Sequence, residues 1–198
     1  MKKEALILLF LFLIPSALAC SIPLDGKTYT ESQKFCARNY YLPNGINIGT
    51  NGITIDCQGG ILQGDFKFNG INIENKRNIE IKNCHIVNYN YGIRLKNATN
   101  AHIHDNSFLR SWYGIRLEDS KNNYILNNRD VSIKKIIRST LSENNHIRYT
   151  NKNVEGDICR HNSCNKNTPV KKIDDYRLEN TPLSRILKKT ILSWISMG

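Results

Sequence analysis

YGIRLKNATNAHIHDNSFLRSWYGIRLEDSKNNYI, residues 91–125, carries one pentapeptide twice. Tyr91-Gly92-Ile93-Arg94-Leu95 returns 22 residues on as Tyr113-Gly114-Ile115-Arg116-Leu117. Working outward, Gly70, Gly92 and Gly114 keep the same offset, and so do the apolar sets Ile71/Ile93/Ile115, Ile73/Leu95/Leu117 and Ile81/Ile103/Ile125. Polar positions keep it too: Asn75, Asn97 and Asp119, then Asn78, Asn100, Asn122 and Asn144. A further, degraded copy stays in phase, with SENN at 142–145 answering SKNN at 120–123 and Arg138 answering Arg116. A fixed period of this length signals a stacked-repeat architecture.

Within each copy, bursts such as Ile71-Asn72-Ile73 and Ile93-Arg94-Leu95 alternate apolar with polar, the period of a strand. Asn, Asp, Gly and Lys clusters between the bursts read as turns, and no copy carries a helical stripe. Short strands joined by tight turns, about 22 residues per circuit, predict an all-β chain. Its fold is a right-handed parallel β-helix, ended by a short C-terminal amphipathic helix. One coil cannot cover its own inner face, so inward Ile and Leu must stack into columns, each contributing on the order of 1.5–3 kcal/mol. The recurring Asn residues suit left-handed turns and can bond from coil to coil. The glycines imply either a positive φ or a close backbone approach.

The expected organisation is as follows. Residues 1–19 read as a signal peptide: Lys2 and Lys3, an apolar run, and Ala17-Leu18-Ala19 before Cys20. The apolar run is short for a membrane span. Residues 20–52 form an N-terminal cap and an incomplete first coil, and 53–150 form the coils, the first enlarged by GGILQGDFKFNG. Residues 151–181 are an irregular polar segment. Residues 182–198 form the helix, with Thr181 as N-cap and Pro182 at its first position. Three roles compete for that helix: covering the open end of the coils, lying on an anionic membrane surface, or docking on a partner.

Six cysteines in an exported chain point to disulfides. Cys20 with Cys36 would tie down the N-terminus, and Cys159 with Cys164 would close a small loop. Cys57 and Cys84 read as buried thiols of a stack. Lipid attachment at Cys20 and a zinc site from Cys159, His161 and Cys164 are the minority alternatives. The net charge of +11 lies mostly in the C-terminal third. Outside the cytoplasm that suits anionic lipid or acidic glycan rather than nucleic acid. A monomer at the cell surface or in the envelope, or a secreted one, is expected.

Cys20 to Cys36, then Gly45-Ile46-Asn47-Ile48-Gly49 and Ile53-Thr54-Ile55-Asp56-Cys57-Gln58-Gly59, resemble the N-terminal coils of exported right-handed β-helix proteins of archaea and bacteria. The repeats resemble those shared by pectate lyases and the copper-associated NosD-type periplasmic proteins. The resemblance implies the fold and an exported location, and leaves activity open.

Catalysis on such a scaffold needs outward carboxylate clusters. Asp105 and Asp119 align with turn asparagines, no Asp-Asp pair occurs in the coils, and no catalytic residue is assigned. Arg94, Arg116 and Arg138 should form one outward column bordered by Tyr91, Trp112 and Tyr113. Guanidinium forks beside aromatic faces suit an acidic polysaccharide or cell-envelope glycan, against the blander reading of a solvated strand face. His102 and His104 flank Ile103 on one face, so copper or zinc is the alternative to no cofactor there. The expected function is a non-catalytic, exported β-helix protein that binds acidic polysaccharide. The alternative is a polysaccharide lyase or glycoside hydrolase.

Overall fold

A computed structural model describes residues 20–131, 135–149 and 162–166; for 130, 131, 135–139, 149 and 164–166 it describes the backbone alone. The leader, the 151–161 stretch, the Cys159–Cys164 pairing and the C-terminal helix read from the sequence lie outside the described side chains.

Every strand pairs in parallel with its counterpart one circuit away, which makes the chain a β-solenoid with three faces. The first face is a six-stranded sheet: Thr28–Tyr29, Ile46–Ile48, Asn69–Glu74, Tyr91–Lys96, Tyr113–Glu118 and Lys135–Thr140. The second runs through Gln33–Lys34, Thr54–Asp56, Glu80–Lys82, His102–His104, Tyr124–Val131, His146–Tyr149 and Ser163–Lys166. The third stacks Asn39–Tyr41, Ile61–Gln63, His85–Val87 and Ser107–Leu109. Strand Tyr124–Val131 turns the corner and pairs on both of the last two faces.

The register confirms the 22-residue coil: Tyr91 pairs with Tyr113 and Arg94 with Arg116. Inward side chains then stack as predicted, with Ile71/Ile93/Ile115, Ile73/Leu95/Leu117 and Ile81/Ile103/Ile125 all buried. The enlarged coil takes its extra residues at two corners, because Asp56 pairs with Lys82, Ile61 with His85 and Asn69 with Tyr91. The second of these insertions carries Gly64, where a Cβ would lie 2.4 Å from the ring of fully buried Tyr89. The Tyr89 hydroxyl donates to the Leu42 carbonyl at 2.8 Å, and burial pushes its pKa upward.

The two readings of the stacked glycines resolve to close approach. Gly70 and Gly92 lack a positive φ, and a Cβ on Gly92 would stand 2.5 Å from the Phe108 ring and 2.6 Å from the Gly114 carbonyl oxygen. Positive φ falls instead on the turn asparagines, Asn75, Asn78, Asn97, Asn100, Asn122 and Asn144, joined by Asp105 and Asp119. Asn tolerates that region because its short amide bonds locally. Exposed rungs do form, Asn97 Nδ2 donating to Asn75 Oδ1 at 2.8 Å.

Buried asparagine columns are the larger finding. Asn106 Oδ1 accepts from the Cys84 amide at 3.0 Å, while its Nδ2 donates to the Ile81 carbonyl at 3.0 Å and to Asn128 Oδ1 at 3.1 Å. Asn123, Asn145 and Asn162 repeat the device at the neighbouring corner. Each Oδ1 accepts from a corner N–H that the bend withdraws from the sheet ladder, and each Nδ2 adds a donor to a backbone carbonyl of the preceding coil.

Cys20 and Cys36 are bonded, as expected. Cys57 and Cys84 correct the sequence reading: they are joined to each other rather than left as thiols. They are buried corner residues of adjacent coils with Cα atoms 4.8 Å apart, inside the range a disulfide can bridge.

Candidate functional site

The first face carries the arginine column. Its strands alternate, so Asn72, Arg94 and Arg116 align in one outward column and Glu74, Lys96 and Glu118 in the next. Arg138 continues the backbone register at Arg116. The guanidinium groups are held by carboxylates across coils. Arg94 Nη2 donates to Glu118 Oε2 at 2.7 Å, and Nη1 reaches Asn72 Oδ1 at 3.3 Å and lies 3.9 Å from Glu74 Oε2. Lys96 pairs with Glu74 at 2.9 Å. Arg116 holds Glu118 through Nε and donates from Nη1 to the Tyr91 hydroxyl, its guanidinium carbon 4.9 Å from the Tyr91 ring centre.

Arg94, Arg116 and Glu118 side chains are 21%, 19% and 14% exposed, so this network is partly desolvated. Burial works to raise the Glu118 pKa, but the Arg94 hydrogen bond and the charges of Arg116 and Arg94 outweigh it and hold the carboxyl low. Glu74 is also lowered, chiefly by its bond from Lys96. Sequence reasoning missed Glu118. The signal was available, since strand alternation alone places 74, 96 and 118 beside 72, 94 and 116.

Beside the network, the Tyr91 and Tyr113 rings stack at 5.4 Å between centroids. Trp112, one residue earlier at the corner, is 38% exposed. Arg94, Arg116, Tyr91 and Tyr113 therefore share this face, around oriented guanidinium groups; Trp112 sits at its corner, and the Arg138 side chain lies outside the described residues.

The second face places His102 and His104 on adjacent outward positions, as expected. His104 Nδ1 lies 2.7 Å from Asp105 Oδ2 and its Nε2 lies 3.0 Å from Glu80 Oε1. Lys82 and Thr54 also bind Glu80, at 3.0 and 2.9 Å. The His104 bond first, then those of Lys82 and Thr54, bring Glu80 down to about 2. For His104, burial works to lower the pKa, but the bonds to Asp105 and Glu80 prevail and raise it. His102 stacks on Tyr124 at 4.8 Å, and Tyr124 stacks on His146 at the same spacing.

Compared with known protein families, residues 28–175 match the one described as "Periplasmic copper-binding protein (NosD)". The chain belongs to the NosD family. No curated protein and no solved structure matches it. The family's periplasmic description and the disulfides together make this NosD-family chain an exported β-helix protein.

The family description implies copper, and the described donors fit it poorly. Copper sites take imidazole lone pairs or soft sulfur. Both His104 nitrogens face carboxylate oxygens, which favours the protonated ring with no lone pair to give. Cys20, Cys36, Cys57 and Cys84 are consumed in disulfides. Among the described residues no group of three or more His, Cys, Asp or Glu side chains is arranged to hold a metal. Cys159 and His161 lie outside the described residues.

Proposed function

We propose that this NosD-family chain is a non-catalytic binding protein of the cell exterior that takes acidic polysaccharide on its first face. The observation that carries the reading is the fixed guanidinium of Arg116, clamped by Glu118 and Tyr91 beside the Tyr91–Tyr113 stack. A pre-oriented fork loses little freedom on meeting a carboxylate, and neighbouring aromatic faces offer the apolar surface a sugar ring needs. The bond from Cys20 to Cys36 takes up the sulfur that lipid attachment would use, which favours a protein released from its leader without a lipid.

The lyase or hydrolase reading has less support. Glu74 and Glu118 flank Arg94, but both are held ionised, whereas a hydrolase needs one carboxyl kept protonated.

Calorimetric titration of the exported chain with a linear polyuronate and with its carboxyl-reduced, neutral counterpart tests the proposal. The polyuronate should bind and the neutral chain should not, and Tyr113→Ala should weaken binding roughly tenfold. Absence of polyuronate binding, or full affinity in a folded Tyr113→Ala variant, would overturn it.

A further inference from the structure

The corner leading into the first face lines up Trp112, which borders the arginine column, with two residues that the column does not use, Phe68 and Asn90. Because Asn69, Tyr91 and Tyr113 pair in register, the residues just before them, Phe68, Asn90 and Trp112, form one column across three coils. The backbone ties that column together: the Asn90 amide donates to the Phe68 carbonyl, and the Tyr113 amide to the Asn90 carbonyl, both at 3.0 Å. Phe68 is 53% exposed and Trp112 is 38% exposed, whereas Tyr89 and Phe108 nearby are fully buried.

Phe68 and Trp112 present aromatic surface at equivalent points of the coil. Coils repeat at the interstrand distance, so Phe68 and Trp112 stand about 9.6 Å apart along the solenoid axis, with an amide side chain midway. That distance matches the length of one disaccharide in an extended polysaccharide. Aromatic, amide, aromatic is the order needed to stack one sugar, bond the hydroxyls of the next and stack the third. Exposed cations lie close in sequence, Lys67 just before Phe68 and Arg110 two residues before Trp112, which suits a chain bearing carboxylates. Lys67 is partly answered by Asp65 at 3.0 Å.

We infer that Phe68, Asn90 and Trp112 form a linear subsite that lays an extended acidic polysaccharide parallel to the solenoid axis. The polymer crosses successive coils rather than following a strand, and its carboxylates face the Arg116 side of the corner. The inference rests on the proposed polysaccharide binding and adds a direction, a minimum length and two residues to it.

The test is a length series of polyuronate oligomers titrated into the parent, Phe68→Ala and Asn90→Ala proteins, with sedimentation of each. Affinity should rise steeply between the disaccharide and the tetrasaccharide in the parent. Phe68→Ala should abolish that rise and weaken the tetrasaccharide roughly tenfold, leaving the disaccharide little changed. Asn90→Ala should give a smaller loss. Polyuronate that binds the parent with no length step, or binds Phe68→Ala as well as the parent, overturns the subsite and leaves the arginine-face proposal standing. No binding by the parent at any length overturns both. A parent that sediments as a dimer and a Phe68→Ala variant that sediments as a monomer would assign these rings to self-association and also overturn the subsite.

Discussion

Replacing Asn106 with alanine removes an amide that no water can easily stand in for. The side chain is 2% exposed and serves three partners: the Cys84 amide, the Ile81 carbonyl and Asn128 Oδ1. Asn128 keeps the Asn106 backbone amide as a donor, so its oxygen stays satisfied. The Cys84 N–H loses the side-chain partner the corner gives it, whereas the Ile81 carbonyl lies inside strand Glu80–Lys82 and keeps its place in the parallel ladder; a buried group left unsatisfied costs about 1–3 kcal/mol. One such group gives a loss of about 2 kcal/mol, or roughly 4–8 °C in Tm for a domain of this size. Asn97→Gly is the matched control. Its amide makes an exposed rung to Asn75, and glycine accepts its φ of 48°, so the loss should stay below about 1 kcal/mol. Urea unfolding followed by circular dichroism measures both. An Asn106→Ala protein within about 1 kcal/mol of the parent, or no weaker than Asn97→Gly, would refute the claim that buried amide columns hold the corners.

The Cys57–Cys84 bond closes a separation of 27 residues, for which chain entropy predicts about 3–4 kcal/mol; the Cys57→Ala/Cys84→Ala double variant should lose that much in the same urea assay, and a loss under about 1 kcal/mol would mean that coil stacking already restrains those residues. Stability should also depend on pH through Glu80 and His104. Glu80 is depressed to about 2, so its contribution is complete above its ordinary value and fades as pH falls toward 2. His104 is raised, so its contribution is complete below its ordinary value and fades as pH rises through the folded value. The pair therefore stabilises most between about pH 4.5 and 6.5, and His104→Ala should remove the decline on the alkaline side of a melting-temperature profile. A parent profile already flat from pH 6 to 8 would contradict the bonds drawn to His104.

The coil was legible because one pentapeptide recurred unchanged and fixed the register of everything around it. Once Tyr91 lay over Tyr113, strand alternation alone sent Ile93 and Leu95 inward and Arg94 outward, and the turn asparagines followed. Local chemistry that depends on which way a corner bends was less legible. Asn122 and Asn123 are neighbours in sequence, yet Asn122 turns with a φ of 56° in water and Asn123 points into the core. Nothing in composition separates the two; only their places on either side of the bend do. Cys57 and Cys84 were hidden by the enlarged coil, which sets them 27 residues apart instead of 22. The register of Arg94 over Arg116 was foreseen, but not their partial neutralisation, because Glu118 aligns with Lys96 and acts across coils. Of the metal reading, the sequence placed His102 and His104 correctly and missed that Glu80 and Asp105 claim both nitrogens of His104.

Amide chemical-shift mapping during titration with a polyuronate probes the assignment of function most directly. Changes concentrated at Tyr91, Trp112, Tyr113 and Arg116, with His102, Tyr124 and His146 unmoved, are the predicted result. Changes centred on the histidine face, or none at saturating polyuronate, would contradict it.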